Sequence, residues 1–365
     1  MKRAKLDGTT DADSVHRFVR SRDQLLEEHP VLNKYTFETE AIRRFYAVVK
    51  FLIVAGFDSC SFGALPRSGK TFAIRMIIRY LATDFPRLPV YVFNVPRANN
   101  RYTKGFLDRW LRTVKHPERN GQIHLLRGRI VERLLTDALA MDSRKVVVLL
   151  DEAQNMGPHD LQFLKDIYNE LLLNDVYLVT VSVGQQPELN ETLDKLRLAG
   201  DSKKNGSYQD LIPRFFGNKR DFRHLEFPAD VLAIFTTIDE QILAGSGGMT
   251  WTQFFAPKLW GRNWRLAGEV TTLGVVLKEL GHLHPGSSRD GEDNMSFVAP
   301  GLLFGALRYF LVAMSDSDTS EAAEATEAAQ AETTRWQIWK DGLRYSEFEA
   351  GSGKRQREGT SWYVS

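Results

Sequence analysis

Asp58-Ser-Cys-Ser-Phe-Gly-Ala-Leu-Pro-Arg-Ser-Gly-Lys-Thr71 is the stretch on which the fold turns. Asp58–Ala64 reads as a strand running into a glycine turn. Ile74, Ile77, Ile78 and Leu81 then share one face of a helix predicted over Thr71–Leu81. A strand, a turn and a helix in that order aim backbone N–H groups and a helix N-terminus at one point, which suits a phosphate. Ala64–Thr71 keeps the phosphate-loop spacing, with Ala64 in place of the first glycine and Gly63 one position earlier. On this reading Ala64, Pro66, Arg67, Ser68, Gly69 and Phe72 surround the phosphates of ATP. Lys70 neutralises the β- and γ-phosphates, and the Thr71 hydroxyl goes to Mg²⁺.

A second element lies about 80 residues downstream. Val146-Val-Val-Leu-Leu150 is an apolar run of the kind found in a central parallel strand, and Asp151-Glu152 stands at its C-terminal end. Asp151 is expected to hold Mg²⁺, directly or through water, and Glu152 to orient and deprotonate the attacking water. The next strand closes on Val181-Ser-Val-Gly-Gln-Gln186. Ser182 or, preferably, Gln185 would sense the γ-phosphate there, although Gln185 would equally cap the helix beginning near Glu188. Arg214 is placed to reach a neighbouring subunit's γ-phosphate, with Arg220 in reserve, and Arg265 opens a helix from which it would close over the nucleotide.

The remaining pattern alternates strand and helix: a helix over Glu40–Val54, a strand at Pro89–Val95, and helices at Lys104–Val114, Ile123–Met141 and Asp160–Leu173. Such alternation predicts an α/β core with a parallel sheet covered on both faces. Past Glu226 only helices are evident, at Asp230–Leu243, Trp251–Leu259, Leu266–Leu280 and Met295–Met314. The expected organisation is an N-terminal arm over 1–35, the α/β core over 36–226, a small all-helical lid over 227–315 and a flexible tail over 316–365.

Hydrophobic residues at 43% and charged residues at 26% fit a soluble globular protein, and no apolar run is long enough to span a bilayer. One cysteine, Cys60, excludes an intrachain disulfide or a multi-thiolate zinc site. With no signal-peptide pattern, a cytoplasmic location is expected. Net charge is only +2, but nine Lys/Arg fall in Arg97–Arg129 against Asp108 and Glu118. Within that stretch Arg97-Ala-Asn-Asn-Arg101-Tyr-Thr-Lys104 reads as a loop with small polar residues between the basic ones, with Arg101 and Lys104 the favoured contacts and Thr103 a hydrogen-bond donor. It suits the phosphates of double-stranded DNA, contacted without reading sequence. Trp336, Trp339, Phe348, Trp362 and Tyr363 on the polar tail resemble a docking segment for a partner.

Taken together, Ala64–Thr71, Leu150-Asp-Glu-Ala-Gln-Asn-Met156 and Val183-Gly-Gln-Gln-Pro-Glu-Leu189 resemble the TniB/TnsC family of AAA+ transposition ATPases. Pro213-Arg-Phe-Phe216 and Asn263-Trp-Arg-Leu266 resemble that family's arginine-finger and second-sensor regions. The resemblance covers roughly residues 30–315 and implies a P-loop AAA+ ATPase. Such a protein assembles with copies of itself into a ring or helix on double-stranded DNA and connects a target-selection protein to a transposase. The missing first glycine of the loop and the long tail depart from the family. The Asp-Glu-Ala-Gln and Gly-Gln-x-Pro-Glu-Leu pair is shared with secretion-linked ATPases of the ExeA type. An ATP-gated adaptor is therefore one alternative, and a DNA helicase or translocase is another.

Overall fold

The computed structural model describes residues 21–33, 35–97, 103–200, 210–285, 296–319 and 328–355. In chain order the elements run α1 (Arg22–Glu27), α2 (Glu40–Ala55), β1 (Ser59–Ala64), α3 (Lys70–Asp84), β2 (Val90–Asn94), α4 (Thr103–Thr113), α5 (Ile123–Ala140) and β3 (Lys145–Asp151). Then come α6 (Pro158–Leu172), β4 (Tyr177–Gln185), α7 (Glu188–Gly200), α8 (Leu211–Phe216), β5 (Lys219–Phe222), β6 (Leu225–Phe227) and α9 (Ala229–Glu240). The chain continues through α10 (Trp251–Phe255), α11 (Pro257–Gly261), α12 (Val270–Glu279), β7 (His284–Pro285), β8 (Ser296–Val298), α13 (Pro300–Thr319) and α14 (Ala328–Arg355). Two compact units result: a sheet unit of Thr36–Asp230 with Leu277–Phe304, and a helical unit of Met1–Tyr35, Val231–Val276 and Gly305–Ser365.

The sheet unit is organised by a five-stranded sheet of order β2-β3-β4-β1-β5, parallel throughout. Alternate residues of β3 point to opposite faces, as the strand period of two requires. Val147 and Leu149 join Val179, Val181, α2 and α3 in one core. Val146, Val148 and Leu150 join α4, α5, α6, α7 and α8 in the other. Apolar residues on both faces explain why β3 carries an unbroken hydrophobic run. Thr39 starts α2 by accepting the Ile42 N–H on its hydroxyl, and Gly56 stops it in the left-handed conformation.

A smaller antiparallel sheet, β6-β8-β7, belongs to the same unit, where the sequence pattern leads one to expect helices only. The difference is physical. Each of these strands has two or three residues, too few to show a period, and Ser296-Phe-Val298 adjoins a long helical run. Pro300 fixes where that run begins, because proline suits the first turn of a helix, so α13 starts at Pro300 instead of Met295.

In the helical unit, residues 328–355 form a helix where composition points to a flexible tail. Trp339 is fully buried, stacked on Phe310 at 4.1 Å and on Phe235 at 5.8 Å between ring centroids. Its indole N–H reaches Glu269 (3.4 Å), a buried carboxylate that also accepts from Trp264 Nε1 (2.8 Å) and pairs with Arg335 (2.7 Å). Gly305 and Gly342 let α13 and α14 touch. A Cβ on Gly342 would lie 3.0 Å from the Ala306 carbonyl, and one on Gly305 would lie 2.3 Å from the Ser346 hydroxyl. A sparse apolar stripe with small residues between is easily overlooked in an Ala/Glu-rich background. Trp362 and Tyr363 lie outside the described residues.

His29, in the same unit, is fully buried against Trp251, Phe254 and Phe255. Its Nδ1 accepts the Val31 N–H at 3.3 Å, and Nε2 meets no partner. Burial lowers its pKa to about 4, from 6.5 when unfolded. A group that binds its proton less readily in the fold contributes full stability above pH 6.5, and that contribution drains away between pH 6.5 and pH 4. At about 1.4 kcal/mol per pH unit, roughly 3 kcal/mol is lost over this window. Thermal melting across pH 4–7 is expected to show the loss in the native protein and a flatter profile in His29→Phe. Parallel profiles would exclude His29 as the source.

Candidate nucleotide site

β1 and β4 run in register, Ala64 opposite Gln185, and β4 and β3 pair Ser182 with Leu150, so the three strands end at one edge of the sheet. The loop from Leu65 to Gly69 leaves β1 at that edge and turns through two left-handed residues, Arg67 (φ 63°) and Gly69 (φ 86°). A side chain at Gly69 would be strained by this φ alone. Successive backbone N–H groups of such a turn, with the N-terminus of α3 behind them, form a concave anion site. The start of α13 braces the loop from outside, since the Gly301 N–H donates to the Arg67 carbonyl at 3.2 Å. Ser68 is buried and its hydroxyl oxygen has no hydrogen-bond partner. Pro66, Arg67 and Thr71 are exposed, Lys70 and Phe72 are half-buried, and Ala64 closes the floor.

Asp151 ends β3 beside this loop. Its carboxylate is buried and accepts the Glu152 N–H at 2.9 Å. Burial raises its pKa above the ordinary carboxylate range and the neighbouring charge of Glu152 adds to the rise, while the Glu152 N–H and the Lys70 ammonium pull it down. Lys70 is therefore near enough for its charge to act on Asp151. A loop with a lysine at the end of β1 and a carboxylate at the end of β3, one strand further on across β4, meet at one edge.

Glu152 takes the left-handed conformation (φ 57°), uncommon for any residue but glycine, and a tight 3₁₀ turn follows at Ala153–Asn155. The turn folds Gln154 back. Its Nε2 donates to Glu152 at 2.6 Å, and its Oε1 accepts the Gln185 N–H at 2.9 Å. Sequence alone does not mark Gln154 as a site residue. The only signal was its place in Asp151-Glu-Ala-Gln154. Of the two sensor candidates, Ser182 is fully buried and donates to the Phe215 carbonyl (2.8 Å), whereas Gln185 lies at the strand end with its amide on Glu188 (3.0 Å).

The arginines are carried by other elements. Arg214 packs over Tyr168 at 4.8 Å, and Tyr168 reaches Asp58, the residue before β1. That is the opposite edge of the sheet, separated from the loop by the length of β1, roughly 16 Å. Arg214 therefore does not belong to the phosphate loop of its own chain. Arg220 is exposed on the edge strand β5. Arg265 belongs to the helical unit, where it stacks on Trp260 (3.5 Å) and donates to the carbonyls of Trp260 and Trp264. Arg97 follows β2 at the same sheet edge as the phosphate loop, and Thr103 and Lys104 open α4; all three are exposed. Arg101 lies outside the described residues.

The residues fit a nucleoside triphosphate with a divalent cation. The loop offers amide groups and a lysine, the Ser68 hydroxyl is buried in it without a partner among the described residues, and Asp151 with Thr71 supplies hard oxygen ligands. A cation held there would draw its other ligands from phosphate and water, and would stabilise the charge that develops on the phosphates. Among the described residues no group of three or more His, Cys, Asp or Glu forms a separate metal cluster, and no helix is long and apolar enough to cross a membrane.

Residues 62–193 match the AAA domain, from mid-β1 through β4 into α7. With the five-stranded parallel sheet and flanking helices, this makes the fold that of a P-loop AAA+ protein with a helical C-terminal region. No curated protein matches the chain. Among solved structures, the chain is similar to the Aeropyrum pernix ORC1 protein in complex with DNA at 12% identity and a TM-score of 0.38, covering 87% of this chain and 84% of that one. It is also similar to C. elegans PCH-2 at 8% identity and TM-score 0.31, covering 88% and 73%. A third is Drosophila ORC bound to GC-rich DNA and Cdc6, at 15% and TM-score 0.28, covering 54% of this chain and 38% of that one. Likenesses this distant carry no argument about ligands.

Proposed function

We propose that the chain is an ATPase that assembles with copies of itself on double-stranded DNA and regulates transposition, linking a target-selection protein to a transposase. One observation carries the nucleotide part: the phosphate loop with Lys70 leaves β1 at the same sheet edge where β3 ends on the buried Asp151 carboxylate. Lys70 would then meet the β- and γ-phosphates, Thr71 and Asp151 would hold Mg²⁺, and Glu152 would take the proton of the attacking water. Arg214, at the far edge of the sheet, suits a role on a neighbouring copy's nucleotide.

The DNA part is supported by the exposed cations Arg97 and Lys104 at the nucleotide edge. Stacked copies would repeat them along a duplex, and backbone phosphates are what exposed cations with a threonine hydroxyl recognise. Transposition is supported by the resemblance carried by Asp151-Glu-Ala-Gln154 and Val183–Leu189. The test is duplex binding by fluorescence anisotropy at several salt concentrations, with a non-hydrolysable ATP analogue. Arg97→Ala with Lys104→Ala is expected to weaken binding about tenfold or more, and to flatten the salt dependence by about one unit of slope per lost phosphate contact. Nucleotide affinity should stay unchanged. Unaltered duplex affinity would rule out this loop. Electron micrographs with and without DNA would show whether nucleotide-dependent rings or helices form, and their absence would overturn the assembly part.

A further inference from the structure

Gln154 sits between two groups with opposite needs. On one side the Glu152 carboxylate can only accept, and on the other the Gln185 backbone N–H can only donate. The amide satisfies both at 2.6 and 2.9 Å. Its orientation is fixed by this pair, because flipping it would set oxygen against carboxylate and NH₂ against N–H. A primary amide has the required donor at one end and acceptor at the other. Lysine has no acceptor, and an ionised glutamate has no donor.

The backbone of Gln154 is held as firmly as its side chain. Thr192 of α7 donates its hydroxyl to the Gln154 carbonyl at 2.7 Å. Gly184 of β4 leaves room for the approach, since a Cβ there would lie 3.2 Å from the Gln154 nitrogen and 2.9 Å from a Leu189 methyl. Glu152, by contrast, sits in a left-handed backbone conformation at the end of β3, and its side chain is only half-buried. The tie that fixes its carboxylate comes from Gln154. Through that amide, the end of β4 and the first turns of α7 are linked to the acid group of the site.

We propose that Gln154 is a positioning residue for Glu152: its amide bridges the Glu152 carboxylate to the Gln185 N–H and thereby couples the setting of the base to β4 and α7. The inference rests on Glu152 being the base of the ATPase reading above. Held in place, the carboxylate faces the water at the γ-phosphate in one geometry. Released, it samples several, and a misplacement near 1 Å costs on the order of a hundredfold in rate.

The test is phosphate release at saturating ATP, together with ATP affinity from a fluorescent analogue, for four variants of the full chain: two at Gln154, Glu152→Gln, and Glu152→Gln combined with Gln154→Met. Gln154→Met keeps the volume and loses both hydrogen bonds. Gln154→Glu keeps an acceptor for the Gln185 N–H but puts a second carboxylate against Glu152. Both are expected to lower kcat about 10- to 100-fold, with nucleotide affinity and melting temperature near those of the native protein. If Gln154 served only to cap the end of β4, Gln154→Glu would retain native turnover, and that result overturns the proposal. In a Glu152→Gln background the Gln154→Met change is expected to cost nothing further, because its effect passes through the missing base. A full additional loss there would show that Gln154 acts elsewhere and would also overturn it. The ATPase reading fails separately, if the native protein releases no phosphate at all.

Discussion

Lys70→Ala is expected to abolish measurable ATP binding while leaving the fold intact. The ammonium is half-buried at the N-terminus of α3, and its charge acts on Asp151 without a salt bridge among the described residues. Its removal therefore strands no ion pair and opens no core cavity, and melting should be nearly unchanged. What is lost is a charge-assisted contact to the β- and γ-phosphates, worth roughly 3 kcal/mol or more and so about a hundredfold or more in Kd. The direction of a second effect is also set. Lys70 is one of two groups that pull the Asp151 pKa down, so its loss leaves burial and the Glu152 charge to raise that pKa further and makes Asp151 a poorer cation ligand. Titration of a fluorescent ATP analogue with Mg²⁺ measures both losses together. Native affinity in Lys70→Ala would remove this loop as the phosphate site.

Glu152→Gln separates binding from chemistry. The substitution keeps the shape and leaves an oxygen able to accept the Gln154 amide, so the turn at Ala153–Asn155 should persist. On the proposed reading it takes away the group that removes the water's proton, and a loss of about 10² to 10⁴ in rate is expected. ATP affinity is expected to remain native, since the loop, Lys70 and Asp151 are untouched. Phosphate release at saturating ATP checks this, and equal turnover in the variant would remove Glu152 as the base.

The elements around the candidate nucleotide site are legible in the sequence because their signals are local. A glycine turn between a strand and a helix, and two acids after an apolar run, each lie within about a dozen residues, and the sheet brings them together by strand order alone. β4 lies between β1 and β3, so their C-terminal ends share one edge. Gln154 was missed because its role joins positions 154 and 185, and its partner is a backbone N–H that has no signature in sequence. Helix α14 was missed for a related reason. Trp339 and Leu343 are buried, but the face they share is completed by Gly342 and Ser346, whose value lies in closeness to α13 and not in hydrophobicity. Strands β7 and β8 are too short for any periodicity to report.

The bend at Glu152 carries one last implication. A residue with a Cβ held at φ 57° costs the fold on the order of 1 kcal/mol relative to a glycine in the same place. The most comfortable amino acid for that backbone is thus one with no carboxyl group. On the proposed reading turnover needs a carboxylate at this position, so backbone comfort and catalysis ask for different residues there.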